Sequence, residues 1–172
     1  MPFFFYHIPI LTKVCFPMVR LLEIADGLIP NFAGIKYTDE NMMDYHQCLE
    51  YKDRKYAIMW GRDEMLLEAL SIGAEAFVGS TYGYMAPVYH AVKKAFDKGD
   101  LAEAASLQFE AVKLITLLDK YGSGSGKAFM KAAGLDLGPC RRPLNTLGDK
   151  RYAEFIEELG STRFEEFKNI LR

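Results

Sequence analysis

Apolar residues gather in short runs along the first half of the chain, each ended by polar residues or glycine. The runs are Pro2–Ile8, Phe32–Tyr37, Tyr56–Trp60 and Ala74–Val78. They alternate little between apolar and polar, as strands do when both sheet faces are covered. Behind each run the period changes to that of a helix. Met18, Leu21, Leu22 and Ala25 mark one helix over Met18–Ala25. A second is expected over Asn41–Tyr51, with Thr38 and Asp39 as candidate caps. A third spans Glu64–Ile72 behind Asp63, and a longer one reaches Phe96. Strands alternating with helices at this spacing predict βαβ units on a parallel sheet.

From Leu101 the pattern is helical only. "LAEAASLQFEAVKLITLLDKYG" reads as one long amphipathic helix ending at Gly122. A "GSGSG" turn leads to a shorter helix over Lys127–Ala133, and "GLDLGPCRRPL" is a connection punctuated by Pro and Gly. Two further helices are expected over Tyr152–Leu159 and Arg163–Leu171. The expected division is a βα region over 1–99 and a helical extension over 100–172.

Composition narrows the function classes. Half the residues are hydrophobic and the formal net charge is -2. Nucleic-acid binders are normally basic, so no nucleic acid is expected as partner. No apolar run approaches the ~20 residues that cross a bilayer, so no membrane partner is expected. "MPFFFYHIPIL" lacks a basic leader and a cleavage site and reads as a strand, not a secretion signal. The cysteines, Cys15, Cys48 and Cys140, are odd in number and far apart. Neither a disulfide framework nor a zinc site is expected, and reduced thiols suit a cytoplasmic protein. His7, His46 and His90 have no metal-ligand spacing.

Reactive groups of parallel α/β folds collect where strands end. The first run ends near Tyr6, and the second ends on Lys36 with Thr38 beyond it. The third is followed by Gly61, Asp63 and Glu64, and the fourth by Gly79, Ser80 and Thr81. A lysine at an apolar strand end is either a solvated terminus or an amine placed to form a Schiff base with a ketone. Tyr6 is either a core aromatic or a phenol placed to relay a proton. His7 faces the other way along a regular strand and reads as structural, and Pro9 reads as the strand's end. Asp63 and Glu64 read as helix-start acids or as acceptors for several hydroxyls. Ser80 or Thr81 reads as an N-cap, or as part of a site for an oxygen-rich ligand. "GSGSGK" is not a phosphate-binding loop: its glycine spacing is one short, Ala128 follows the lysine, and a helix precedes it.

Taken in order, "YHIP", "GIKYT", "WGRDE" and "VGSTYGY" resemble the N-acetylneuraminate lyase group of the dihydrodipicolinate synthase superfamily of class I aldolases. The resemblance runs through the whole chain, tail included, and corresponds to the C-terminal half of the family's TIM barrel. It implies an α/β fold of four βα units from a (β/α)8 barrel with a helical extension. It also implies a lyase whose catalytic residues are Lys36 and Tyr6, with Thr38, Gly61, Asp63, Glu64 and Ser80 meeting substrate. Leu11 stands where the dihydrodipicolinate synthase branch carries an arginine, and the Asp-Glu pair is a feature of the sialic acid lyases. The implied reaction is Schiff-base cleavage of N-acetylneuraminate to N-acetylmannosamine and pyruvate, without metal or cofactor, in a cytoplasmic homo-oligomer, a homotetramer. An alternative is another 2-keto-acid aldolase of the superfamily, and a third is an inactive half-barrel acting as a subunit partner. A complete barrel takes about 250 residues. The expectation is therefore an incomplete barrel, a fragment lacking the family's carboxylate-gripping loop, with weak or no cleavage by itself.

Overall fold

The computed structural model describes residues 1–169. The chain divides into two compact units, Met1–Gly79 and Ser80–Arg172.

In the first unit, β1 (Phe3–His7), β2 (Phe32–Tyr37) and β3 (Ala57–Trp60) form a parallel sheet in the order β1-β2-β3. The last expected strand, Ala74–Val78, is reduced to a bridge between Trp60 and Phe77. Trp60 donates its N–H to Ala76 and accepts from Val78, both at 2.9 Å. Only β3 pairs with this segment among the described residues, and one bridge is all the ladder extends to. The segment thus follows the sheet without completing a fourth strand.

Pro9 does more than end β1. It opens the short helix α1 (Pro9–Thr12), where its missing N–H costs nothing. Helix α2 (Met18–Ala25) has the expected bounds. Helix α3 (Met42–Glu50) is capped by Asn41, whose side chain accepts from the Asp44 N–H at 3.1 Å, and not by Thr38 or Asp39. A 3-10 turn (Asp63–Met65) precedes α4 (Leu66–Ser71), splitting the single helix expected there.

Face alternation along the strands sorts their side chains. Ile35, Tyr37, Ile58 and Trp60 pack with Met18, Leu22, Tyr45 and Cys48 from the helices, forming the core of this unit. Asp44 is buried within it. Its carboxylate accepts from the N–H groups of Met18 (2.9 Å) and Val19 (3.2 Å) and from the Tyr37 hydroxyl (3.0 Å). Helix α2 starts after Pro17 without a cap of its own, so α3 supplies the anion that its first turn requires. Burial, with the Asp44 carboxylate alongside, pushes the Tyr37 phenol well above its ordinary range.

The second unit is helical: α5 (Tyr82–Asp97), α6 (Leu101–Tyr121), a 3-10 turn (Gly122–Gly124), α7 (Ser125–Ala132), α8 (Asp149–Gly160) and α9 (Phe164–Phe167). Part of the expected "GSGSG" turn is thus already helix. Asp100 caps α6 by accepting from the Glu103 N–H, and Gly122 closes it at φ 75°. Helix α9 is shorter than expected, and Ile170 and Leu171 lie outside the described residues. Phe129 is fully buried, with Tyr84 stacked on it at 4.7 Å and Phe155 edge-on at 4.9 Å. Helix α5 breaks at Met85, where φ is −140°, just ahead of Pro87. Asn169 occupies the break. Its Oδ1 accepts from the Ala86 N–H at 2.8 Å, its Nδ2 donates to the Tyr82 carbonyl at 3.1 Å, and its backbone N–H donates to the Tyr84 carbonyl at 2.8 Å.

Candidate active site

Register decides which side chains meet across the strand ends. Phe3 lies opposite Phe32, but Phe4 lies opposite Gly34, so a bulge sits in β2 at Ala33. Without that shift Tyr6 would face Ile35, on the wrong side of the sheet. With it, Tyr6 is paired with Lys36, and Lys36 with Met59. These residues share the face opposite the helices.

Gly34 makes the shift possible. It adopts φ 155°, and a Cβ there would overlap the Ala57 backbone carbonyl. The glycine of "GIK" is therefore a packing requirement two residues before the lysine.

The Lys36 amine lies 4.2 Å from the centroid of the Tyr6 ring. Tyr6 is 46 % exposed and Phe4, on the same side, 40 %, so this face of β1 is open. His7 is 5 % exposed and points the other way, as strand alternation requires.

The neighbouring expected residues fall around the ladder's upper end. The Thr38 N–H donates to the His7 carbonyl and the Gly61 N–H to the Tyr37 carbonyl, both at 2.8 Å. Thr38 and Gly61 are thus stepped one strand apart, and a Cβ on Gly61 would overlap Thr38 Oγ1. That hydroxyl is buried and has no hydrogen-bond partner among the described residues. A buried hydroxyl without a partner is costly unless a ligand or water supplies one.

Asp63 is buried with its carboxylate against the Gly79 backbone, where a Cβ would overlap it. Glu64 is held by Arg62 at 3.1 Å, and the same guanidinium pairs with Glu40. Trp60 Nε1 donates to the Arg62 carbonyl at 2.6 Å and fixes this turn. Arg62 and Glu40 were not among the expected residues. Their pairing spans two strand ends, and nothing in local spacing announces it.

Ser80 belongs to the second unit and is exposed there, at the approach to α5. The N-cap position of α5 is Thr81, whose side chain makes no cap bond; its hydroxyl lies 2.6 Å from that of Tyr89. Within the first unit the fold brings together Tyr6 and Lys36, Thr38 and Gly61, and Asp63 and Gly79.

Known proteins share this architecture. The dihydrodipicolinate synthetase family matches residues 1–161. The N-acetylneuraminate lyase of Rattus norvegicus is 37 % identical over 99 % of this chain and 54 % of its own length. The structure of Proteus mirabilis N-acetylneuraminate lyase superposes with a TM-score of 0.90 at 32 % identity, over 95 % of this chain and 55 % of that one. A catalytic lysine mutant of Ruminococcus gnavus sialic acid aldolase gives 0.78 at 26 % identity, over 96 % and 56 %. The chain spans about half the length of the relatives it matches. Its α/β architecture, its strand-end motifs and these matches agree: the chain belongs to the dihydrodipicolinate synthetase family, with N-acetylneuraminate lyases among its relatives.

Proposed function

We propose that the chain carries the Schiff-base part of an N-acetylneuraminate lyase site, with Lys36 as nucleophile and Tyr6 as proton relay. The observation that carries this reading is the 4.2 Å approach of the Lys36 amine to the Tyr6 ring on the open sheet face. The neutral amine adds to the C2 ketone of the open-chain sugar acid and water leaves, giving an imine. Tyr6 takes the proton of the C4 hydroxyl as the C3–C4 bond breaks, and the electron pair moves into the imine. N-acetylmannosamine departs, the enamine is protonated at C3, and water releases pyruvate. Thr38, with its unpartnered hydroxyl, Gly61, Asp63, Glu64 and Ser80 are assigned to substrate binding. The fold parts follow the same reading: a half-barrel over 1–99 and an extension over 100–172.

Borohydride reduction in the presence of pyruvate tests the site. An adduct on Lys36 that is lost in Lys36→Arg supports it; a chain that stays unmodified refutes it. A substrate panel of N-acetylneuraminate and 2-keto-3-deoxy sugar acids separates the lyase from other aldolases of the superfamily. Cleavage by this chain alone is expected to be weak, since orienting the ketone contributes several kcal/mol of the barrier.

A second reading has its own observation. Phe3, Phe4 and Tyr6 are exposed along β1, which has β2 as its only strand neighbour in the described sheet. Such an edge pairs with further strands. On this reading the chain acts as a subunit partner, tested by co-purification with a full-length family member.

A further inference from the structure

On the face of the sheet turned away from Tyr6 and Lys36 lies a second group of reactive side chains. A cavity of about 260 Å³ is lined by His7, Cys15, Phe16, Asp39 and Asp44, among others. His7 reaches it from β1, Asp39 from the segment after β2, Asp44 from α3, and Cys15 from the segment between α1 and α2. His7 is 5 % exposed, and its Nε2 lies 3.6 Å from Asp39 Oδ2. Cys15 is exposed, whereas Cys48 is buried and Cys140 partly so. A thiol, an imidazole and a carboxylate lining one cavity are the parts of an activated cysteine, the carboxylate orienting the imidazole that takes the thiol proton.

We propose that Cys15 is a thiol-exchange site, with His7 as its base and Asp39 as the residue that orients His7, and that it accepts small cationic disulfides. The Cys15 thiol gives its proton to His7, and the thiolate attacks one sulfur of the disulfide. The disulfide bond breaks, a mixed disulfide forms on Cys15, and the other half leaves as a thiolate that recovers the proton from His7. No further oxidant is needed. The charge preference follows from the lining. Asp39 and Asp44 both line the cavity, and no Lys or Arg stands among its lining residues. Cys48 differs: burial pushes its thiol up, out of the reactive range.

The test measures reaction of the intact chain with cystamine, a dication, and with dithionitrobenzoate, a dianion, at pH 7. Peptide mass spectrometry locates the adduct, and a peptide of sequence Lys13–Pro17 serves as the unstructured reference. Cys15 is expected to react with cystamine about tenfold faster than the peptide does, a modest return for a positioned base. The cystamine-to-dithionitrobenzoate ratio is expected to exceed the peptide's by about threefold or more, from the local field. His7→Gln should remove the acceleration, and Asp39→Asn should reduce both the acceleration and the charge preference. The Asp39 variant decides the matter if His7→Gln does not fold, since Asp39 is partly exposed. A Cys15 rate equal to the peptide's, or rates unchanged in Asp39→Asn, would overturn the proposal.

Discussion

Removal of the Asp44 carboxylate should loosen the first unit more than any surface change. Asp44→Ala leaves the Met18 and Val19 N–H groups without their acceptor, while the Tyr37 hydroxyl keeps the Asn41 carbonyl at 3.0 Å. Each hydrogen bond to a charged group contributes about 1.5–3 kcal/mol, and orphaning the donors adds desolvation. Water entering the vacated space offsets part of this, so the net loss is set at about 4 kcal/mol, about 2 kcal/mol for each of the two orphaned N–H groups. With a urea slope of about 2 kcal/mol per molar, the midpoint falls by about 2 M. Trp60 is the chain's single tryptophan, fully buried in this unit's core, so its fluorescence follows the unfolding of interest. Asp44→Asn keeps an acceptor of the same shape and should lose about half as much. Lys93→Ala, which removes an exposed pair with Asp97 on α5, should leave the Trp60 transition unchanged. A loss below about 1 kcal/mol for Asp44→Ala would refute the view that this carboxylate caps α2.

Three further outcomes are expected. Gly34→Ala should destabilise the first unit by about 3 kcal/mol, because its methyl overlaps the Ala57 carbonyl, and should abolish pyruvate trapping on Lys36; retention of trapping by a folded variant would separate the bulge from the site. Burial favours the neutral forms of Tyr37, Tyr45 and Cys48; their contribution is complete below the unfolded-state values of about 8.5 for thiol and about 10 for phenol and is lost as pH rises beyond them. Melting temperature should therefore fall steadily above about pH 9, and a flat profile to pH 11 or so would count against these burials. Asn169→Ala should lower protection of the Ala86 amide in hydrogen exchange while leaving the Trp60 transition untouched, and unchanged protection would show that the side chain does not hold the break.

Elements bounded by strong chemistry were legible. β2 has the expected ends because its apolar run stops at Tyr37 and polar residues follow. The long helix α6 ends as read, with Asp100 and Gly122 at its termini. The last strand was not legible as a bridge, because whether an apolar run pairs fully depends on neighbours outside it. The cap of α3 was misplaced because Thr38, Asp39 and Asn41 are all good caps, and the register chose among them. Asp44 drew no reading from the sequence, since only tertiary structure brings α2 and Tyr37 to it. The opposition of Tyr6 and Lys36 was expected, yet the bulge that produces it depends on a close approach of β3 that spacing does not reveal.

The clasp of Asn169 on the break in α5 carries one more consequence. The turn bearing Ser80 and Thr81 runs directly into the segment that this residue splints, although Asn169 lies 87 positions beyond Tyr82. The shape of the chain where the "VGSTYGY" stretch becomes helix is therefore decided by a residue far along the sequence. Exchanging that one side chain would act on a distant loop before it disturbed any packed interior.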